Sequence, residues 1–230
     1  MSETVAVKFK QYFPVLPLPE TMLLPHAIIP LSVFEPRYRQ LVDHSLDGSG
    51  QVAIATYNDI CWKQHKKNES TLRDVVCLSQ IIRHEKAGDG FQVMLYGLCR
   101  ALILEECPPD DDTLYRSAKL RPLEQEEKEL DEIYRTELLH MLFRPNLMRL
   151  ENHDAIVDWV NEPTLTNDAL FELVGCSVFD DAELKYALLA EPSSEVRSKR
   201  VLCELAHIDR MLTITDKQSS SKWENGISWN

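Results

Sequence analysis

Glycine is scarce in this chain, seven in 230 residues, and none of the seven stands in G-x-x-x-x-G-K-[ST] or G-x-G-x-x-G. Without a loop whose backbone N–H groups can cradle phosphate, neither a P-loop nor a dinucleotide fingerprint is available, and ATP hydrolysis is excluded. G-x-S-x-G and H-E-x-x-H are also missing, which removes the commonest legible hydrolase and metalloprotease signatures. The six cysteines (61, 77, 99, 107, 176 and 203) form no C-x-x-C pair, so no zinc ribbon or redox motif is present. Reduced, mostly buried thiols are expected instead. Long apolar runs are absent too. The richest stretch, VMLYGLCRALIL, is interrupted by Arg100 and falls short of the ~20 residues that span a bilayer. The opening residues carry no basic region followed by an apolar run and a cleavage site. A soluble, cytoplasmic protein with no cofactor and no metal is expected.

Positive charge is in deficit: 25 Lys and Arg stand against 37 Asp and Glu, for a net charge of -12. The deficit is uneven, with fourteen basic and fifteen acidic residues up to Leu123 but eleven and twenty-two after it. An acidic surface repels nucleic acid and anionic lipid. Such a composition shift also marks two differently built units.

Proline and apolar residues are plentiful at the start. FPVLPLPETMLLPHAIIPLSVFEP holds six prolines, a density incompatible with a long helix, so short extended segments bent at each proline are expected. Pro36 suits the first turn of a short helix, with Tyr38, Leu41, Val42 and Leu46 at helical spacing and Gly48-Ser49-Gly50 ending it. Gln51–Tyr57 and Val75–His84 read as strands, Ala87-Gly88-Asp89-Gly90 as a tight turn, and Phe91–Leu104 as the returning strand of a hairpin. Gly97 inside that strand marks a bulge or bend. Tyr115–Leu123 is the last strand.

Beyond Pro122 the apolar period changes from two to 3.6. Leu130, Ile133, Tyr134, Leu138, Met141 and Leu142 share one helix face. Further helices are expected over Asn152–Val160, over Asn167–Phe179 with Thr166 as its cap, and from a capping-box-like Asp180-Asp181-Ala182-Glu183 to Ala190. The final helix, capped by Ser194, carries Val201, Leu202, Leu205, Ile208 and Leu212, and a flexible tail is expected from Thr215. A β-rich half followed by an α-rich half means α+β, divided as 1–123, 124–213 and a 214–230 tail.

Catalytic candidates are unspecific. His84-Glu85 and Asp110-Asp111-Asp112 supply no positioned partner or converging ligand set, and read as a surface strand and a solvated loop. His26 reads as a satisfied or partly exposed histidine. No enzyme activity is expected.

Three blocks carry a family resemblance. Leu16–Arg39, ending in Pro30-Leu31-Ser32-Val33-Phe34-Glu35-Pro36-Arg37-Tyr38, resembles the opening of the Lon protease N-terminal domain, where L-P-L leads into P-L-x-x-F-E-x-R-Y. Cys77–Glu105 resembles that domain's later hairpin, with Ile81-Ile82-Arg83, the Asp89-Gly90 turn, and Gly97-Leu98-Cys99-Arg100 matching its G-x-x-R element. Tyr115-Arg116-Ser117-Ala118-Lys119 stands where the family has a Tyr-containing final strand, and Asp181-Ala182-Glu183-Leu184-Lys185 matches a D-x-x-L-K segment of its helical part. Val76-Cys77-Leu78-Ser79 departs from the family, which often carries a glycine there.

The resemblance implies a PUA-like β pseudo-barrel with one short helix, followed by an α-helical bundle. It implies the substrate-holding part of Lon standing alone, without ATPase or protease. On that basis Phe34, Arg37, Tyr38 and Arg100 are candidates for contacting unfolded or extended polypeptides, with edge strands adding backbone pairing. Pro30, Glu35, Pro36, Asp89, Gly90, Gly97 and Tyr115 would be structural. Helix-start spacing would equally put Phe34 and Tyr38 in the core, with Arg37 and Glu35 tying helix to sheet. Other readings are RNA binding, for which Lys63, Lys66 and Lys67 offer the one basic loop, a small-ligand or modified-base pocket or an unrecognised enzyme site between the halves, and docking onto a folded partner.

Overall fold

The computed structural model describes residues 7–19, 21–58, 71–123 and 130–220. Lys63, Lys66, Lys67, Cys61 and the tail beyond residue 220 lie outside the described residues.

Six strands come first: β1 (Tyr12–Pro17), β2 (Ile28–Val33), β3 (Gln51–Ala55), β4 (Val75–Ala87), β5 (Gly90–Cys107) and β6 (Ser117–Pro122), with helix α1 (Pro36–Leu46) between β2 and β3. Their order is β2-β5-β4-β3-β1-β6, and β5 pairs with β6 as well, so five strands close into a barrel with β2 added outside it. Only β1 and β3 run parallel among these pairs. Closure works because β5 is 18 residues long. Its first half pairs with β2 and its second half with β6.

Strand periodicity divides the core in two. Phe13, Val15, Ala53, Ala55, Val76, Leu78, Ala101, Ala118 and Leu120 fill the barrel, small residues alternating with large to suit its narrow interior. Residues of the opposite parity, Leu16, Val52, Ile54, Val75 and Cys77, face outward onto the helices. Both faces of β3 are therefore covered, and after Gln51 it reads as an unbroken apolar run rather than an alternation of apolar with polar.

The helices are α2 (Glu132–Leu142), α3 (His153–Asn161), α4 (Asn167–Val178), α5 (Ala182–Leu189) and α6 (Ser194–Ser220), with one 3₁₀ turn at Leu147–Arg149. Asp131, Thr166 and Asp181 cap α2, α4 and α5 through side-chain oxygens. With Asp181 as the cap, Glu183 sits one position too early to close a capping box, and pairs instead with Arg73, which precedes β4. The expected cap Ser194 lies one residue inside α6, and Ser193 Oγ accepts from the Val196 N–H at 3.4 Å. Ile133, expected on the buried face, is 66% exposed. It lies five and nine residues before Leu138 and Leu142, about 140° and 180° round the helix from the side that is buried. At the other end, α6 continues past Thr215 to Ser220, and Arg149 pairs with Asp216 at 2.8 Å.

One apolar cluster runs from Leu16, Val33 and Leu95 through Leu138, Phe171 and Leu205, across the point where strands give way to helices. Within it lies a buried charge cluster. Glu172 Oε1 on α4 is 2.6 Å from Arg100 Nη2 on β5 and 2.7 Å from Arg197 Nε on α6.

Candidate functional site

Past Ile81, β4 leaves the cover of the helices and its residues become exposed. There β4, β5 and β2 form a three-stranded sheet that projects beyond the barrel. The register sets Ile28 opposite Tyr96, Pro30 opposite Met94 and Ser32 opposite Gln92, and across β5 it sets Arg83 against Met94 and Glu85 against Gln92. Val33, Phe91, Val93, Leu95 and Ile81 point to the core. The other parity makes an outer face of Ile28, Pro30 and Ser32 on β2 with Gln92, Met94 and Tyr96 on β5.

Local chemistry builds both ends of this face. At one end a two-residue turn joins β4 to β5, Gly88 (φ +58°) supplying the left-handed residue. Gly90 follows, and a Cβ there would lie 2.4 Å from Val33 O and 2.8 Å from the Phe34 ring. The ring therefore rests on bare backbone, and Phe34 stays 63% exposed. Arg39 Nη1 on α1 donates to Asp89 O, which ties the turn to the helix. At the other end the chain before β2 crosses β5 at Gly97. His26 takes φ +66° there, its N–H donates to Gly97 O at 2.8 Å, and its Nδ1 lies 3.2 Å from the Tyr96 hydroxyl.

From Ile28 to Phe34 the face is about 20 Å long at strand rise. A groove of about 460 Å³ crosses its middle, lined by Pro30, Ser32, Gln92, Met94, Arg83 and Glu85 among others. Apolar side chains rimmed by polar ones form the surface pattern of an interaction site. Methionine adapts to different partner shapes. Arg83 and Glu85 pair at 2.6 Å in the open and form one rim.

The residues singled out in the sequence separate in space. Phe34 is on the face. Arg37 turns toward β1 and the segment before β6, where it lines a recess with Val15, Pro17, Leu114 and Arg116; its Nε donates to Glu35 at 3.1 Å and its guanidinium is 4.3 Å from the centre of the Tyr38 ring. Tyr38 turns inward against the core. Arg100, expected alongside them at the surface, is 1% exposed and belongs to the charge cluster with Glu172, because its strand position faces the helices. Of the motif residues, Pro30 lies on the outer edge strand, where its missing N–H costs no ladder bond. Glu35 precedes α1 without a side-chain cap bond, and Pro36 takes its first position. Tyr115 stands just before β6 rather than in it, and its hydroxyl is 3.0 Å from His44 Nδ1.

Burial, and then neighbouring Tyr57, push the Tyr38 phenol well above its ordinary 10.0. Only the unfolded chain ionises readily near that value, so stability contributed by the neutral phenol is present below pH 10 and is lost as pH rises toward the folded value. Tyr96, Tyr115 and Tyr186 are raised by burial too. Urea midpoints between pH 8 and 11 are expected to fall, and Tyr38→Phe is expected to flatten the fall. An unchanged slope would contradict that assignment.

The bland readings of other candidates hold. Asp110 Oδ1 accepts from the N–H groups of Asp112 and Thr113, an Asx turn in a loop, and His84 is exposed on β4. The cysteines are more open than expected. Cys77 alone is fully buried among the described ones, Cys99, Cys107 and Cys176 are half-buried, and Cys203 is exposed. Among the described residues no three His, Cys, Asp or Glu converge to hold a metal, and no helix is long and apolar enough to cross a membrane. Ile28, Met94 and Tyr96 were not singled out in the sequence. Alternation along β2 and β5 is legible, but which parity stays uncovered depends on how far the helices reach.

A family model described as the ATP-dependent protease La (LON) substrate-binding domain matches residues 12–207. Among solved structures, the N-terminal domain of a Mycobacterium avium complex Lon protease is similar with a TM-score of 0.64 and 21% identity, over 85% of this chain and 98% of that one. A Lon N-terminal domain protein from Xanthomonas campestris is similar with a TM-score of 0.57 and 20% identity, over 84% and 98%. No curated protein matches.

Proposed function

This chain belongs to the Lon substrate-binding domain family, and we propose that it binds unfolded or extended polypeptide, without catalysing a reaction, on the outer face of β2 and β5. The observation that carries the reading is Phe34, 63% exposed on a backbone shelf at the end of an apolar strip. A large aromatic held open to solvent gains free energy when a partner covers it. The strip suits extended chain, since its side chains repeat at strand spacing. Its open groove, with Met94 in the wall, favours breadth over selectivity. Arg37, Tyr38 and Arg100 contribute by holding α1 and the helices in place.

Fluorescence anisotropy of a labelled, iodoacetamide-capped, reduced lactalbumin titrated with the protein tests this reading. Saturable binding is expected, with labelled single-stranded RNA unbound at physiological salt. Phe34→Ser should weaken polypeptide binding about tenfold, as expected for losing an aromatic anchor, and leave the melting temperature within about 2 °C. Binding unaffected by Phe34→Ser would remove this face from consideration. RNA binding with no polypeptide binding would overturn the reading altogether.

A further inference from the structure

The projecting sheet has two edges without a strand neighbour among the described residues, and they differ in kind. Along β4 the free edge reads Arg83, His84, Glu85 and Lys86, four polar residues in succession, the usual protection of an edge against stray pairing. Along β2 the free edge reads Ile-Ile-Pro-Leu-Ser-Val, with no charge at all. Only Pro30 interrupts it.

The ladder fixes which backbone groups of β2 face outward. Gly97 N–H donates to Ala27 O at 2.9 Å. By antiparallel alternation Ile29, Leu31 and Val33 direct their N–H and C=O groups to β5, and Ile28, Pro30 and Ser32 direct theirs away from it. The outer edge therefore presents the N–H groups of Ile28 and Ser32 and the carbonyls of Ile28, Pro30 and Ser32. Pro30 falls in the outward register, where it removes one donor and leaves the β5 ladder whole.

We propose that an extended client segment pairs with β2 as an added strand, hydrogen-bonding to the outward groups of Ile28, Pro30 and Ser32. This rests on the polypeptide-binding reading and adds its mode. Backbone pairing holds any sequence in register, while alternate side chains of the added strand lie beside the outer face. Pro30 has a second consequence: with one donor missing, the edge makes an incomplete ladder with any strand. That keeps added strands exchangeable and disfavours permanent association of β2 with itself.

Residue-resolved amide exchange of the full chain, with and without the same iodoacetamide-capped lactalbumin, tests the mode. Saturating polypeptide should slow exchange at Ile28 and Ser32 about tenfold or more and leave Ile29, Leu31 and Val33, already bonded to β5, unchanged. Ser32→Pro removes an outward donor as Pro30 does, and should weaken binding about fivefold, while Ser32→Ala keeps the N–H and should bind as the parent does. Polypeptide that binds without slowing Ile28 and Ser32 would overturn strand addition and leave the face reading standing. Equal weakening by both Ser32 variants would also overturn it. Protection that grows with protein concentration in the absence of polypeptide would identify a second copy as the occupant instead. No saturable binding would remove both proposals.

Discussion

Replacing Glu172 by glutamine is expected to destabilise the protein by about 3–5 kcal/mol, the range found when one partner of a buried ion pair is removed. Arg100, Glu172 and Arg197 are 1%, 3% and 4% exposed. One carboxylate oxygen meets both guanidinium groups, at 2.6 and 2.7 Å. Other donors of the two arginines reach backbone: Arg100 Nε donates to Leu188 O (3.3 Å), and Arg197 Nη1 to Glu191 O and Pro192 O (2.9 and 2.7 Å). Both cations meet this one carboxylate in a buried interior, so losing it removes a charge partner from each. The cluster also joins the barrel strand β5 to α4, α5 and α6. Glu172→Gln should therefore shift the urea midpoint of the whole chain in one transition, with little change in slope. Replacing all three, as Arg100→Met, Glu172→Leu and Arg197→Met, should cost less than Glu172→Gln alone, because no charge is then left buried. A cost for Glu172→Gln below about 1 kcal/mol would mean that the cluster is screened as a surface pair is.

Gly97→Ala is expected to cost about 3 kcal/mol or more, at the upper end for overpacking because the obstacle is backbone. A Cβ at this position would lie 2.2 Å from Leu24 O and 3.0 Å from both Leu24 C and Pro25 Cα. None of these atoms can rotate aside. The crossing chain is pinned by the His26 N–H to Gly97 O and Gly97 N–H to Ala27 O bonds, so relief by withdrawal breaks both. A contrasting variant is Gly88→Ala, where nothing lies within 4 Å and only φ +58° opposes the methyl group, for a cost of about 1–2 kcal/mol. If Gly97→Ala proved no worse than Gly88→Ala in chemical denaturation, the close crossing would be wrong. Because β2 and Tyr96 follow directly from this crossing, Gly97→Ala should also weaken polypeptide binding at temperatures where the protein remains folded.

Much of this was open to a reading of the sequence, for local reasons. Pro36 begins α1 since its ring presets a helical φ and its missing N–H has no partner to lose. The hairpin at Gly88-Asp89 follows from turn chemistry, and the bulge near Gly97 is where the register slips, Leu98 being the extra residue between Cys99 opposite Leu78 and Gly97 opposite Ser79. The site was legible only in part. Phe34 could be found from its motif, whereas its exposure depends on Gly90 fifty-six positions later offering a flat shelf. Arg100 was placed wrongly because an arginine in a strand is ordinarily exposed. Its partners Glu172 and Arg197 are some 70 and 100 residues away, and no local pattern announces them.

The sequence by itself determined the α+β order, the proline-bent start, the hairpin, the cap Thr166, and the family, because each is written in spacing over a few residues or in motifs. Only the tertiary structure decided which parity of β2 and β5 faces solvent, which edge is left open, that α6 runs on to Ser220, and that a single carboxylate joins barrel to helices. Those outcomes depend on which surfaces distant segments cover and on where a charge can be compensated once water is excluded, and neither is a property of neighbouring residues.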